Sequence, residues 1–286
     1  MNQSEIAKRT ILITGCSSGI GYCVAHGLKR RGYPVIASAR KPDDVERLAS
    51  EGLDCLQIDL DDPASIDQAV KNLEDRTGRR IYGLFNNAGF GQPGAVEDLR
   101  RDVLRAQFET NVFGTLELTN RLLPWMRAAG AGRIIQNSSL LGFVALAYRG
   151  AYNASKYALE GLYDTLRLEL AGTGIHAILI EPGPITSRFR SNALAAYQRN
   201  IDTETSAHRE TYRATEARLS RQGAAVPFTL PPEAVLDKVI KALESPVPRP
   251  RYYVTFPSYL FGILKRCLST RALDRMLLNV SRREGK

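Results

Sequence analysis

Residue types that carry out proton transfer lie close together in the middle of the chain. Tyr152 and Lys156 are four residues apart, and Ser139 precedes the tyrosine by thirteen residues. Four-residue spacing puts the tyrosine and the lysine on one face of a helix. A phenol has a pKa of about 10, which a nearby ammonium group lowers. The pattern predicts that Tyr152 gives a proton to a substrate oxygen, which Ser139 orients by a hydrogen bond.

A glycine-rich turn far upstream has the composition of a phosphate-binding site. Gly15, Gly19 and Gly21 lie where a predicted strand ends and a helix begins. Glycine permits positive φ and lets backbone N–H groups approach a pyrophosphate, which the helix dipole also attracts. Each motif alone is weak, because an ordinary βα turn or a solvated Tyr–Lys pair has the same residues. Together, they predict an enzyme that transfers a hydride between a nicotinamide and a carbonyl or alcohol.

Apolar, β-branched runs alternate with amphipathic stretches along the chain, which predicts alternating strands and helices. The predicted strands are 10–14, 34–38, 54–58, 81–86, 133–138, 176–181 and 251–255, and the predicted helices are 20–31, 63–76, 97–129, 151–171 and 231–244. Nearly continuous apolar strands between helices predict an α/β fold, a single doubly wound parallel sheet of the Rossmann type. Ligands of such a sheet bind beyond the C-terminal strand ends, where the two motifs fall.

Composition limits the domain organisation and the other classes of site. Residues 1–286 are predicted to form a single dinucleotide-binding and catalytic domain, with a polar substrate-loop insertion at 186–226 and a basic amphipathic tail at 256–286. The four cysteines form no Cys-x-x-Cys pair and the three histidines lack metal-ligand spacing, so we expect a cytoplasmic protein without a metal site. No apolar run reaches the roughly 18 residues that span a bilayer.

The two motifs and their order resemble the short-chain dehydrogenase/reductase family over roughly residues 8–190. The turn has the spacing Gly-x-x-x-Gly-x-Gly, and the Tyr-x-x-x-Lys pair follows a serine. The resemblance implies a catalytic set of Asn111, Ser139, Tyr152 and Lys156, with Ser139 favoured over Ser138 by its offset from the tyrosine. In this family, the lysine would also hold the nicotinamide ribose, and Asn111 would complete a proton relay to it through water.

The resemblance also implies a coenzyme-binding set at several strand ends. Together with Arg40, which follows the second predicted strand, the set is Thr14, Gly15, Ser17, Gly19, Ile20, Gly21, Arg40, Asp59, Leu60, Asn87, Ala88, Gly89, Tyr152, Lys156, Pro182, Gly183, Ile185 and Ser187. Asp59 is implied to contact the adenine, and Ser187 replaces the usual threonine but keeps a hydroxyl. Ser17 and the stretch 181–185 look most like the branch that acts on steroids, retinoids and other lipophilic carbonyls.

The end of the second predicted strand decides which coenzyme is expected. NAD enzymes of this type place a carboxylate there to hold the ribose 2′-OH. This chain has Arg40 and Lys41 instead, and its next acid is Asp43. The planar guanidinium of an arginine suits the oxygens of a 2′-phosphate. The sequence therefore predicts NADP, although a solvated arginine at a loop start is the plainer alternative.

The segment between Ser139 and Tyr152 indicates the substrate class. It is rich in leucine and aromatic residues, and its one fixed charge is Arg149. An apolar wall beside the reacting groups, with Phe189 and the insertion as a lid, predicts a lipophilic aldehyde, retinoid or steroid-like ketone. The alternative is a non-catalytic NADP-binding regulator, a class that loses the tyrosine or the lysine. Nucleic-acid binding is not expected, because the basic pI of 9.5 comes without a recognised motif.

The net charge of +9 is concentrated at the C-terminal end of the chain. Residues 246–286 contain nine Lys/Arg against two Asp/Glu, interspersed with apolar residues. Packing of the tail on its own domain is slightly favoured, and weak, salt-sensitive contact with an anionic membrane surface is the second hypothesis. The family resemblance further implies a homodimer or homotetramer formed through the helices predicted at 97–129 and 151–171.

Overall fold

The computed structural model describes residues 3–221, 223 and 226–284, so residues 222, 224 and 225 of the predicted insertion and residues 285–286 of the predicted tail lie outside the described residues. Its strands are β1 (Ile11–Ile13), β2 (Val35–Ala39), β3 (Asp54–Gln57), β4 (Gly83–Asn86), β5 (Gly132–Asn137), β6 (Ile175–Glu181) and β7 (Arg251–Tyr253). They form a seven-stranded sheet in the order β3-β2-β1-β4-β5-β6-β7. All neighbouring pairs are parallel, which confirms the predicted doubly wound sheet.

Helices cover both faces of this sheet. They are α1 (Gln3–Ile6), α2 (Gly19–Arg30), α3 (Pro42–Ser50), α4 (Pro63–Thr77), α5 (Arg101–Phe108), α6 (Thr115–Ala129), α7 (Gly150–Glu169), α8 (Phe189–Asn200), α9 (Arg209–Ser220), α10 (Glu233–Glu244), α11 (Phe256–Cys267) and α12 (Thr270–Glu284). Alternate residues of β1 show why two layers form. Ile11 and Ile13 pack against α2 and α10, whereas Leu12 packs against α4, α6 and α7 on the opposite face.

No helix was predicted at the position of α3, and the single helix predicted at 97–129 is divided in the structure. Helix α3 begins with a proline and two acidic residues, which are typical of a helix start. These residues directly follow Arg40 and Lys41, and the segment was interpreted only as part of the coenzyme site. The long helix is divided into a 3-10 turn (Val96–Asp98), α5, a π-helical turn (Glu109–Gly114) and α6. The π-turn lies where the helix passes β3, since a Cβ on Gly114 would approach the Leu60 carbonyl oxygen to 1.9 Å. Hydrophobic periodicity along the chain does not register such a contact.

The insertion forms α8 and α9, and the tail forms α11 and α12. The tail packs against the apolar segment after β5: Phe261 and Leu277 are buried with Leu140, Phe143 and Val144. Burying one such side chain contributes about 1.5–3 kcal/mol, more than the roughly 1 kcal/mol that a basic residue gains at an anionic surface. For these residues packing on the domain is therefore the observed outcome. No helix within the described ranges is long and apolar enough to cross a membrane.

Candidate active site

The glycine-rich turn forms a tight cradle between β1 and α2. Gly19 has a φ of +58°, in the left-handed region that favours glycine, and a Cβ there would come within 2.8 Å of the Ser187 Cβ. Gly21 is required for another reason. A Cβ on Gly21 would lie 2.2 Å from the Gly15 carbonyl oxygen and 2.5 Å from the Asn87 amide nitrogen. The turn can approach a phosphate closely because only glycine fits at both positions.

A chain of hydrogen bonds connects this cradle to Lys156. The Asn87 amide donates to the carbonyl oxygens of Thr14 and Gly15, at 3.0 and 3.1 Å. Asn137 donates to the Asn87 side-chain oxygen at 3.0 Å, and the Lys156 ammonium donates to the Asn137 carbonyl oxygen at 2.7 Å. Sequence reasoning missed Asn137, although its position at the end of β5 was a usable signal. The turn and the lysine are thus held in one rigid frame.

Ser139, Tyr152 and Lys156 meet at the end of β5, as their spacing predicted. The Ser139 hydroxyl lies close enough to the Tyr152 hydroxyl to oppose the rise in its pKa, and the Ser139 oxygen accepts a hydrogen bond from the Leu141 N–H at 3.0 Å. The lysine nitrogen lies 5.7 Å from the centroid of the tyrosine ring. Ser138 has a different environment, because its hydroxyl donates to the Glu160 carboxylate on α7. Only Ser139 is therefore placed to share a substrate oxygen with Tyr152.

Burial shifts the pKa values of Tyr152 and Lys156 in opposite directions. Burial raises the pKa of Tyr152 to about 12, against the opposing effects of the Ser139 hydrogen bond and the charge of Arg149. Burial also lowers the pKa of Lys156 to about 8, partly offset by the nearby Glu160 carboxylate. The lowering of the phenol pKa by the lysine ammonium and the nicotinamide-ribose charge together stays a prediction. Among the protein's own groups, desolvation of the hydroxyl outweighs the neighbouring charges. The lysine ammonium, for its part, is lost as the pH rises through about 8.

Asn111 lies in the π-turn and has a supporting position. Its amide nitrogen donates to the Phe90 carbonyl oxygen at 3.0 Å and to the Ser155 hydroxyl at 3.1 Å. Its amide oxygen accepts from the Phe90 N–H at 3.1 Å. The side chain therefore holds the loop after β4 against α7 and makes no direct contact with Lys156. The water-mediated relay implied by the family resemblance stays a prediction.

One cavity of about 930 Å³ runs along the C-terminal edge of the sheet and joins the cradle to the reacting groups. Every residue predicted to bind the coenzyme or to act in catalysis lines this cavity, except Gly21 and Asn111. Gly21 lies beneath the turn, and Asn111 lies behind the loop after β4. The prediction did not include Ser38, which also lines the cavity at the end of β2.

Polar atoms of the cavity wall show what kind of group it fits. The Ser38 hydroxyl and the Asn137 side-chain oxygen are buried and have no hydrogen-bond partner among the residues that the structure describes, although buried polar atoms normally have one. Arg40 extends from the end of β2 into the same region, and no described residue accepts a hydrogen bond from its guanidinium group. A hydroxyl-rich, phosphate-bearing molecule fits this wall. Among the described residues, no cluster of His, Cys, Asp or Glu could hold a metal ion.

A buried ion-pair cluster supports the end of β6 behind the site. Arg251 on β7 contacts the carboxylates of Glu160, Asp164 and Glu181, with 2.6 Å to Asp164 and 2.5 Å to Glu181. Glu181 is fully buried, and burial together with the charge of Glu160 raises its pKa. Because Glu160 also binds Ser138, the cluster connects the last strand to the serine turn.

The fold and this arrangement define a class of protein. The sequence profile of the short chain dehydrogenase family matches residues 9–198, and the chain belongs to that family. A solved short-chain dehydrogenase from Streptomyces avermitilis has the same fold, with a TM-score of 0.76 at 29% identity over 99% of both chains. The protein is therefore an oxidoreductase of this family.

Three relatives show which members of this family the chain resembles. The Escherichia coli (strain K12) protein "Uncharacterized oxidoreductase YbbO" is 44% identical, over 96% of this chain and 95% of its own. The "NADPH-dependent 3-dehydrocapnine reductase" of Ornithobacterium rhinotracheale is 32% identical, over 94% and 95%. The human "17-beta-hydroxysteroid dehydrogenase type 1" is 33% identical, over 87% and 78%. The last similarity confirms the predicted resemblance to the branch named for steroid substrates.

Proposed function

We propose that the protein is an NADP(H)-dependent reductase that transfers a hydride between the nicotinamide and a lipophilic aldehyde or ketone. The observation that carries the proposal is the shared cavity: the Ser139–Tyr152–Lys156 group and the glycine cradle line the same wall. A regulator that only binds the coenzyme would not need a tyrosine, serine and lysine in contact beside it.

The residues have distinct roles in this reaction. The coenzyme supplies the hydride when bound. Tyr152 donates a proton to the carbonyl oxygen, and the Ser139 hydroxyl orients that oxygen. Lys156 binds the ribose hydroxyls as an ammonium group, and a positive charge beside a phenol favours the phenolate. Asn137 positions the lysine through its carbonyl oxygen.

The preference for NADP rests on the charge at the end of β2. Arg40 and Lys41 line the cavity there, and Asp44 is held by Arg47 at 3.1 Å. The residue at the end of β2 is therefore not a carboxylate of the kind that selects the ribose 2′-OH of NAD. The Ornithobacterium rhinotracheale relative, described as NADPH-dependent, supports this choice.

The substrate side of the cavity supports a lipophilic carbonyl. The Phe189 ring packs edge-on against the Tyr152 ring, with 5.2 Å between ring centroids, so the start of α8 lies against the reacting residue. Leu141 and Leu146 form part of the opposite wall. Substrate entry must displace or pass Phe189, which agrees with a lid formed by the insertion.

The experiment that tests the proposal measures NADPH oxidation over n-alkanals of rising length, retinal and ketosteroids. We expect kcat/KM to rise with apolar size, since each buried methylene contributes about 0.8 kcal/mol. Short hydrophilic aldehydes serve as the control. Tight NADPH binding without turnover of any carbonyl would contradict the enzyme and favour the regulator.

We also propose contact with a membrane surface. The apolar residues available for this contact are those that remain exposed in the folded protein. Four apolar side chains remain exposed beside the cavity mouth and form what we term the aromatic patch: Phe228, Phe256, Tyr259 and Ile263. Residues 226 and 229, on either side of Phe228, line the cavity. Lys238 adds a positive charge, with its ammonium nitrogen 6.0 Å from the Tyr259 ring centroid. A lipophilic substrate could pass from lipid to the cavity here.

We expect the intact protein to sediment with anionic liposomes at low salt, and replacement of Phe256 and Ile263 by serine to abolish this binding. Point variants are preferable to removal of the tail, which would uncover the buried contacts of Phe261 and Leu277. Val96→Ser with Val247→Ser is the matched control, because both residues are more exposed but lie elsewhere. If the intact protein stays in the supernatant, the tail serves packing alone.

The homodimer or homotetramer stays a prediction. Exposed apolar residues on the two long helical stretches support it: Leu104 on α5, Phe113 in the π-turn, and Tyr157 and Leu168 on α7. A second copy of the chain would bury them.

A further inference from the structure

The half of the cavity beyond Tyr152 has a basic rim that the sequence did not predict. Besides Arg40, five arginines line the cavity: Arg149, Arg188, Arg190, Arg199 and Arg218. The acidic lining residues Asp44, Asp59 and Asp61 all lie at the other half, after β2 and β3. The lipophilic wall therefore ends in positive charge without a lining carboxylate beside it.

Three of these arginines have other positions or roles. Arg188 follows Ser187, which packs against Gly19 of the phosphate cradle, so its charge belongs to the coenzyme half. Arg190 donates to the Gly223 carbonyl oxygen at 2.7 Å and holds the insertion together. Arg149 lies close enough to Tyr152 for its charge to lower the phenol pKa. Arg199 lies on the outer rim, and Arg218 also lines the cavity.

Arg199 lies at a definite distance from the reacting group. Helix α8 begins at Phe189, against Tyr152, and Arg199 is ten residues further along it. At a rise of 1.5 Å per residue, the two ends are about 15 Å apart. Ala193 and Ala196 line the cavity between them and are buried, so the path along the helix has an apolar wall.

The Arg199 side chain is free to bind a ligand at the end of this path. It is exposed, and no residue of the described ranges accepts a hydrogen bond or forms an ion pair with it. Arg218 and Leu219 on the adjacent helix α9 line the same part of the cavity. A guanidinium group stays charged at any relevant pH and binds a carboxylate or phosphate through two parallel hydrogen bonds. At a half-open rim such a pair has a small desolvation cost.

We propose that the substrate is an anionic amphiphile: a carbonyl at one end of an alkyl chain that lies along α8, with a carboxylate-like group at the far end bound by Arg199 beside Arg218. This inference rests on the proposed function and specifies its substrate class. Neutral retinoids and steroids use the apolar path but leave the rim without a partner. A long-chain ω-oxo acid fills the apolar path with its alkyl chain and gives the rim an anionic partner.

The test is a binding measurement that needs no turnover. Calorimetry with NADP⁺ present compares a saturated long-chain fatty acid with the fatty alcohol of equal length. We expect the acid to bind the wild type at least about tenfold more tightly, as for a charge-assisted hydrogen bond. Arg199→Gln should remove this difference and leave the alcohol unchanged. Arg213→Gln, on the exposed side of α9 and paired with Glu210, is the control.

Two results would overturn the inference. One is equal binding of acid and alcohol to the wild type. The other is loss of the preference in Arg149→Gln but not in Arg199→Gln, which would place the anion at the reacting end. NADPH oxidation with a neutral n-alkanal is measured in parallel. Its absence would count against the proposed reductase, whereas the calorimetry decides on the anionic site in either case.

Discussion

Replacement of Tyr152 by phenylalanine is expected to lower kcat for carbonyl reduction by roughly 10²- to 10⁴-fold, the contribution of a positioned proton donor. Binding of NADPH should change little. Phenylalanine keeps the ring that packs on Phe189 at 5.2 Å and loses only the hydroxyl that Ser139 contacts. Steady-state kinetics with a long-chain alkanal give kcat, and NADPH fluorescence titration gives the coenzyme affinity.

The matched control for this variant is Tyr157→Phe. Tyr157 lies on the same helix, is 41% exposed and does not line the cavity. Its hydroxyl can be removed without effect on the reaction. A Tyr152→Phe enzyme that retains a large part of the wild-type kcat would contradict the role of this residue as the proton donor.

The exchange of Arg40 for aspartate is expected to reverse the coenzyme preference from NADPH to NADH. A charged hydrogen bond contributes about 1.5–3 kcal/mol, so its loss lowers kcat/KM with NADPH roughly 10- to 100-fold. The introduced carboxylate adds repulsion to the 2′-phosphate and accepts a hydrogen bond from the 2′-OH of NADH. The measurement is kcat/KM for both coenzymes with one aldehyde.

Arg101→Asp makes the same change of charge outside the cavity. Arg101 is exposed in the first turn of α5, where an acidic residue is compatible with the helix dipole. We expect this variant to keep the wild-type preference. A wild-type enzyme that already favours NADH, or an Arg40→Asp variant that still favours NADPH, would show that the end of β2 does not select the coenzyme.

Much of the fold and the site follows from local patterns. Apolar strands separated by amphipathic helices are a local property, and their alternation was sufficient to predict the parallel sheet confirmed here. The glycine spacing reflects backbone sterics, and the four-residue spacing of Tyr152 and Lys156 reflects helix geometry. Because parallel strands end at one edge, predicted residues from six strand ends line one cavity.

Properties that depend on burial could not be predicted in this way. The rise in the Tyr152 pKa that burial causes was not predicted, because desolvation depends on every atom around the hydroxyl, and these atoms come from distant parts of the chain. The π-turn that carries Asn111 arises where the helix meets the end of β3. Asn137 became part of the site only through its bonds to Asn87 and Lys156.

The sequence by itself determined the family, the parallel sheet and the residue types at its C-terminal edge, since these are encoded by short spacings. Only the tertiary structure decided what surrounds the substrate. Arg149 was the one charge evident beside the reacting residues, and the folding of α8 and α9 over the sheet brought Arg199 and Arg218 to the same cavity. The physical reason is that a charge far away in sequence acts on a site only when packing brings it near, and no local pattern encodes that distance.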